Sequence, residues 1–205
     1  MSIPGGVVYV LDDEPDVVKA ITRLLRVRRF EVRGYTSVHE FLEAVPPENN
    51  ACLVLDVAMP GLDGLQVQEH LKHQGILIPI IFLTGRGNIP TSVRAIKAGA
   101  TDFLTKPVDA AVLVGAVRSA LLIAESRRQT ALEIEALAGR LASLTQRQRE
   151  VMEQIVAGRL NKEIAFDLGT SEQNIKQHRM QIMRKMGVDS LAQLVRVAAR
   201  LGIGK

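Results

Sequence analysis

Five short aliphatic runs, separated by stretches that carry helix signals, set the strongest limit on what this chain can fold into. They are Val7 to Leu11, Phe30 to Tyr35, Cys52 to Asp56, Pro79 to Thr84 and Asp102 to Thr105. Runs such as IPIIFLT are apolar almost without a break, which suits strands covered on both faces rather than strands with one wet side. Between them, Ser37-Val-His-Glu40 forms a capping-box pattern, Pro15 and Pro90 suit first-turn positions, and Lys97-Ala-Gly99 reads as a helix end. Strands alternating with helices predict a parallel α/β sheet.

After Asp109 no strand signal returns. Leu113, Val117, Leu121 and Ala124 keep helical spacing and lead into the polar stretch EIEALAGRLASL. A long helix is expected, continuing as a helical linker to about Ser143, with Leu137, Leu141 and Leu144 packing on their own domain rather than on a neighbouring subunit. A second capping box, Thr145-Gln-Arg-Gln148, opens a region with helical segments only, near 145–157, 161–168, 171–186 and 190–201, the last capped at Ser190. The 205 residues fit two ordinary domains, one α/β and one all-α.

Charge divides in the same way. Residues 1–125 carry 12 Lys and Arg against 14 Asp and Glu, net −2, whereas residues 126–205 carry 14 against 8, net +6. A compact basic segment is the electrostatic footprint of a nucleic-acid binder. The single cysteine, Cys52, lies inside an apolar run, so neither a disulfide framework nor a thiolate metal cluster is available. With no apolar run of about 18 residues and no signal-peptide pattern at MSIPGG, the expected location is the cytoplasm, without a membrane partner.

In an open parallel sheet the ligand site lies beyond the carboxyl ends of the strands, where the strand order reverses. The first run ends in Asp12-Asp13, the third in Asp56, the fourth in Thr84 and the fifth in Lys106-Pro107. If the order is flavodoxin-like, the first and third strands are neighbours and three carboxylates converge. Such a cluster repels itself without a cation, and hard oxygen ligands favour Mg²⁺. Lys106 adds a positive charge and Thr84 a hydroxyl. These parts suit phosphoryl transfer, which depends mainly on positioning and charge neutralisation, with Asp56 as the nucleophile. A lone Asp at a strand end more often caps a helix or anchors a loop, but three acids, a Thr and a Lys-Pro at successive ends make a site.

The segments VLDDE (10–14), LDVAMPGLDG (55–64), FLTGRG (82–87) and TDFLTKP (101–107) resemble the receiver domain of bacterial response regulators. The resemblance implies a flavodoxin-like (βα)5 fold with strand order 2-1-3-4-5. It makes Asp56 the acceptor of a phosphoryl group from a sensor histidine kinase. Asp13 and Asp56 would bind Mg²⁺ directly, Asp12 through water, with the Ala58 carbonyl as a further ligand. Thr84 and Lys106 would engage the phosphate, and Phe103 is the aromatic whose rotation reports the switch. Ala58 and Arg86 occupy the two positions that tune dephosphorylation in this family. Among enzymes, a phosphohydrolase resembling haloacid dehalogenases would need an acid at position 58, where Ala58 stands.

In GRLNKEIAFDLGTSEQNIKQHRMQIMRKMG, a scaffold helix, a turn through Gly169-Thr170 and a longer helix from Ser171 make a helix-turn-helix. At about 100° per residue, Ile175, His178, Ile182 and Met186 share one face, and Gln173, Lys176, Gln177, Met180 and Arg184 the other. Lys and Gln near the start of such a helix suit major-groove reading, with Arg179 and Lys185 at the flanks for phosphate. Aromatic residues make up only 3% of the chain, which favours duplex DNA over single strands or RNA.

The segments LTQRQREVM, NKEIAFDLGTS, IKQHRMQIMRKM and SLAQLVRVA further resemble the four-helix LuxR-type domain, with Asn174 at the first position of the family's Thr-Val-Lys-x-His stretch. The candidate DNA contacts are Lys162, Ser171, Gln173, Asn174, Lys176, Gln177, Arg179, Arg184 and Lys185. The expected organisation is a receiver over 1–122, a helical linker over 123–143 and a LuxR-type domain over 144–205, the NarL/FixJ arrangement. By resemblance, phosphorylation turns Phe103 inward, reshapes the 90–120 face and drives homodimerisation on promoter DNA, with RNA polymerase as a further partner.

Overall fold

The computed structural model describes residues 6–44, 50–85 and 99–204. Arg86, Pro90 and the 90–98 part of the predicted 90–120 switch face lie outside the described residues. The chain divides into two compact units, residues 1–129 and 130–205.

In the first unit, β1 (Val7–Leu11), β2 (Glu31–Tyr35), β3 (Ala51–Asp56), β4 (Ile80–Thr84) and β5 (Asp102–Thr105) form one sheet. Its order is β2-β1-β3-β4-β5, with every pairing parallel. β1, β3 and β4 are buried at every residue, as their unbroken apolar runs require, while β2 at the edge exposes Glu31 and Arg33. The two-residue period of each strand sends alternate side chains to opposite faces. Val7, Tyr9, Leu11, Leu53, Leu55 and Phe82 join one core, which α2 (Val38–Ala44) and α3 (Gly64–His73) cover with Phe41, Val67 and Leu71. Val8, Val10, Cys52, Val54, Ile81 and Leu83 join the other, covered by α1 (Pro15–Val27) and the first turns of α4 (Ala110–Ala142). Tyr9, Tyr35 and Phe41 stack edge-on or tilted, with ring centroids 5.7 to 6.1 Å apart.

The helix starts follow the local chemistry of the sequence. Pro15 occupies the first turn of α1. Asp63 and Gln66 close a reciprocal capping box at α3, which the sequence reading did not single out. Ser37 accepts the Glu40 amide at 3.4 Å. Gly99 has φ +99°, and the helix predicted to end there lies outside the described residues.

The second unit contains the last turns of α4 and then α5 (Gln146–Val156), α6 (Asn161–Asp167), α7 (Glu172–Met186) and α8 (Leu191–Arg200). Leu144, Val151, Met152, Ile155, Ile164, Ile175, Ile182, Met186 and Leu194 form its core, with Leu141 packed against it. Leu141 and Leu144 therefore pack within their own domain. Thr145, Ser171 and Ser190 cap α5, α7 and α8, each accepting the amide three residues on. No helix among the described residues is long and apolar enough to cross a membrane.

Candidate functional site

The carboxyl edge of the sheet gathers the predicted polar groups of the first unit. Asp12 follows the last residue of β1, Asp56 ends β3, Thr84 ends β4, and Lys106 follows β5. The Lys106 amide donates to the Thr84 carbonyl at 2.7 Å, which ties the ends of β4 and β5 together. Asp12, Asp56 and Thr84 are all buried, at 1%, 4% and 3% exposure. Burying acids without a partner would be costly, and here the partner is Lys106. Its Nζ lies 2.6 Å from Asp12 Oδ2 and 2.8 Å from Asp56 Oδ1, with Glu14 Oε1 at 3.7 Å.

Backbone donors complete the arrangement. The Ala58 amide donates to Asp56 Oδ2 at 2.7 Å, and the Glu14 amide donates to Asp12 Oδ1 at 3.0 Å. Burial pushes the Asp12 carboxyl above the usual carboxylate range, against the opposing pull of the Lys106 ammonium and the Glu14 amide. Burial would lower Lys106, but its hydrogen bonds to Asp12 and Asp56 outweigh this and hold its pKa above the ordinary lysine value. Phe103 is half-buried and pairs in register with Phe82, the ring centroids 6.3 Å apart.

The three carboxylates are placed unequally, and among the described residues no group of three acidic, histidine or cysteine side chains is already gathered around one point. Asp13 is exposed, while Asp12 and Asp56 are buried and share the Lys106 ammonium, which relieves their repulsion. The donor set still suits a hard divalent cation. It is all oxygen, two of its carboxylates are buried and close, and desolvation of Asp12 leaves a charge that a cation would relieve.

In the second unit, α7 divides as its wheel predicts. Ile175, Ile182 and Met186 are fully buried. Gln173, Lys176, Gln177, Met180 and Arg184 are exposed, as are Ser171 and Lys162. His178 is half-buried, its Nδ1 enclosed and without a hydrogen-bond partner. Three other candidates carry internal bonds: Asn174 Nδ2 donates to Thr170 Oγ1 at 2.8 Å, Arg179 Nη1 to Asn161 Oδ1 at 3.2 Å, and Lys185 Nζ to the Ser143 carbonyl at 2.8 Å. Lys185 is thus half-buried in an internal tie rather than offered to solvent at the helix flank. A cleft of about 590 Å³ beside α7 is lined by Arg159, Asn161, Lys162 and Arg179 together with the acid Glu172, and Arg159 is ion-paired with Asp167. Arg159 escaped the sequence reading because it stands in the loop before α6, outside any periodic face.

A parallel sheet with two acids and a lysine at its carboxyl edge, followed by a helix-turn-helix with an exposed basic face, defines a signalling class in which a receiver is coupled to a DNA-binding module. Comparison with known proteins agrees. Residues 8–118 match the response regulator receiver domain, and residues 142–198 match the bacterial regulatory proteins of the luxR family. Response regulator protein TodT of Pseudomonas putida is 44% identical over 201 residues, covering 98% of this chain and 88% of its own. Transcriptional regulatory protein FixJ of Bradyrhizobium diazoefficiens is 38% identical over 198 residues, 97% of each chain. The solved structure of response regulator StyR has a TM-score of 0.84 at 40% identity, covering 96% of this chain and 99% of that one. Full-length FixJ from B. japonicum has a TM-score of 0.59 at 37% identity, over 100% of both. The chain belongs to the response regulators, as a receiver joined to a LuxR-type DNA-binding domain, and is a transcriptional regulator of the two-component kind.

Proposed function

We propose that Asp56 is the phosphoacceptor of this regulator and that α7 reads the promoter. The observation that carries the first part is the Lys106 ammonium, 2.8 Å from Asp56 Oδ1 and 2.6 Å from Asp12 Oδ2 at the carboxyl edge of the sheet. Asp56 attacks the phosphorus of a phosphohistidine on a sensor kinase; the new P–O bond forms as the P–N bond breaks, and the histidine leaves with the electron pair. The Ala58 amide fixes the Asp56 carboxylate by its Oδ2, leaving Oδ1 toward Lys106. Lys106, charged at neutral pH, then meets the phosphoryl oxygens, and the Thr84 hydroxyl at the end of β4 is the second donor.

Receiver domains typically bind Mg²⁺ at the phosphorylation site. Here Asp12, Asp13, Asp56 and the Ala58 carbonyl would hold it, and it would neutralise charge on the transferring group. Mg²⁺ is therefore expected to raise the melting temperature of the parent chain and to do so far less in Asp12→Asn.

The new phosphoryl group brings about −1.5 to −2 charges. Thr84 shifts toward it, Phe103 turns inward from its half-buried position, and the 90–120 face favours a homodimer. Moving from ~1% to ~99% active takes about 5.5 kcal/mol of differential stabilisation, drawn from phosphate and dimerisation together. In this reading the receiver spans 1–122, the linker 123–143 and the DNA-binding domain 144–205, and the dimer acts in the cytoplasm on promoter DNA, where it meets RNA polymerase. Lys162, Ser171, Gln173, Asn174, Lys176, Gln177, Arg179 and Arg184 form the DNA face.

Incubation with a small phosphodonor tests the acceptor: the parent chain takes up phosphate, Asp56→Asn takes up none, and stoichiometric uptake by the variant refutes the assignment. For the reader helix, Lys176→Ala should weaken binding to a cognate duplex by about 1–3 kcal/mol. Unchanged affinity at physiological salt would remove Lys176 from the base-reading set.

A further inference from the structure

The end of the linker helix and the end of the reader helix exchange cations. Arg140, in the last turn of α4, donates from Nη1 to the carbonyl of Met186, the last residue of α7, at 3.0 Å. Lys185, in the last turn of α7, donates from Nζ to the carbonyl of Ser143, just beyond α4, at 2.8 Å. A helix C-terminus leaves carbonyls without intrahelical donors and carries partial negative charge, so a cation there is favourable. Each helix supplies that cation to the other.

Gln148 locks the exchange from inside. It is buried, at 4% exposure, yet its polar atoms are used: Oε1 accepts from Lys185 Nζ at 2.9 Å and from the Thr145 amide at 3.1 Å, and Nε2 donates to Gln181 Oε1 at 2.8 Å. Gly187 makes room. It ends α7 in the left-handed region at φ +65°, and a Cβ there would stand 2.5 Å from Arg140 Nη1. Side chains from α4 and α5 thus converge on the last turn and a half of α7.

We propose that Arg140, Gln148 and Lys185 are positioning residues for DNA reading, joining the last turn of the linker helix and the reader helix into one corner that sets how Gln173, Lys176 and Gln177 are presented. The proposal rests on α7 being the duplex-reading helix. It removes Lys185 from the phosphate contacts, since its ammonium is already committed to two internal acceptors. It also gives the linker a direct hold on the reader helix, so that a twist delivered at Arg140 is felt at Met186.

The two roles for Lys185 leave different marks on salt dependence. A lost phosphate contact makes the slope of log K against log salt shallower by about 0.9, whereas a misplaced helix weakens binding without changing the number of phosphates neutralised. The test uses the full-length chain and a duplex that it selects from random-sequence DNA. Lys185→Met, Arg140→Gln and Gln148→Leu are each expected to weaken binding about tenfold with the parent's salt slope, and Lys185→Arg to recover most of the loss. Lys185→Met combined with Gln148→Leu should cost little more than either alone. Amide exchange over residues 181–188 should quicken in the three disabling variants. If Lys185→Met does not fold, Arg140→Gln and Lys185→Arg decide the matter by the same readouts. A slope shallower by about 0.9 with unchanged exchange, or undiminished binding, overturns the corner while leaving α7 as the reader. If the parent selects no duplex at all, the reading of α7 falls and the proposal with it.

Discussion

Gly64 stands at the first position of α3, where the chain turns back past the end of β3. A Cβ there would run into the backbone carbonyl of Asp56 and come within 3.0 Å of the Phe82 ring, against which Phe103 packs. The end of β3 must then shift, and overpacking of this kind costs about 1–3 kcal/mol. Gly64→Ala is therefore expected to lower stability by that amount in urea titration and to slow phosphate uptake from a small donor. Cys52, fully buried in the core on the opposite face of the sheet, shows burial acting on a single group. Desolvation pushes its thiol up to about 12, far above the ordinary value near ~8.5. The folded chain keeps a proton that the unfolded chain releases, so the stability tied to this thiol is intact below the ordinary value and declines as pH climbs from there toward 12. Above about pH 9 the melting temperature of the parent should fall faster than that of Cys52→Val; parallel curves would mean the thiol is not sealed.

At the scale of elements, Thr145 offers the plainest test, because its hydroxyl accepts from the Gln148 amide at 3.2 Å and the Gln148 Oε1 accepts in turn from the Thr145 amide. Thr145→Ala should destabilise the second unit by about 1 kcal/mol, measured by thermal unfolding followed in the far ultraviolet. That cap was legible in the sequence, as were the strands and their ends, since each is written in a few consecutive residues. An apolar run with no wet positions specifies a strand covered on both sides, and the residue that breaks it marks the edge where Asp56 and Thr84 stand. The face of α7 was legible too, from the spacing of Ile175, Ile182 and Met186. What the sequence left hidden are partnerships across long separations. Nothing local to Lys185 says that Ser143 and Gln148 will take its ammonium. Nothing in Asp12-Asp13 tells which acid is buried: that depends on Lys106, 94 residues away from Asp12, reaching between it and Asp56.

The molecule as a whole holds two separately closed interiors, one on the two faces of a sheet and one among helices, each made from its own stretch of chain. Unfolding is accordingly expected in two transitions rather than one. Ligand linkage should separate them further, because on the proposed assignments Mg²⁺ would stabilise only the unit holding Asp12 and Asp56, and a selected duplex only the unit holding α7. A single transition that moves as one with either ligand would contradict this. The aromatic cluster under β1 makes the experiment unusually simple to read. The chain contains no tryptophan and only two tyrosines, and both of these, Tyr9 and Tyr35, belong to the cluster beside Phe41. Tyrosine emission is in effect an optical label that evolution has placed on one half of the protein, so the other half can be watched separately through a tryptophan substituted at Leu201, which packs partly buried against the helical core and would pass into water on unfolding.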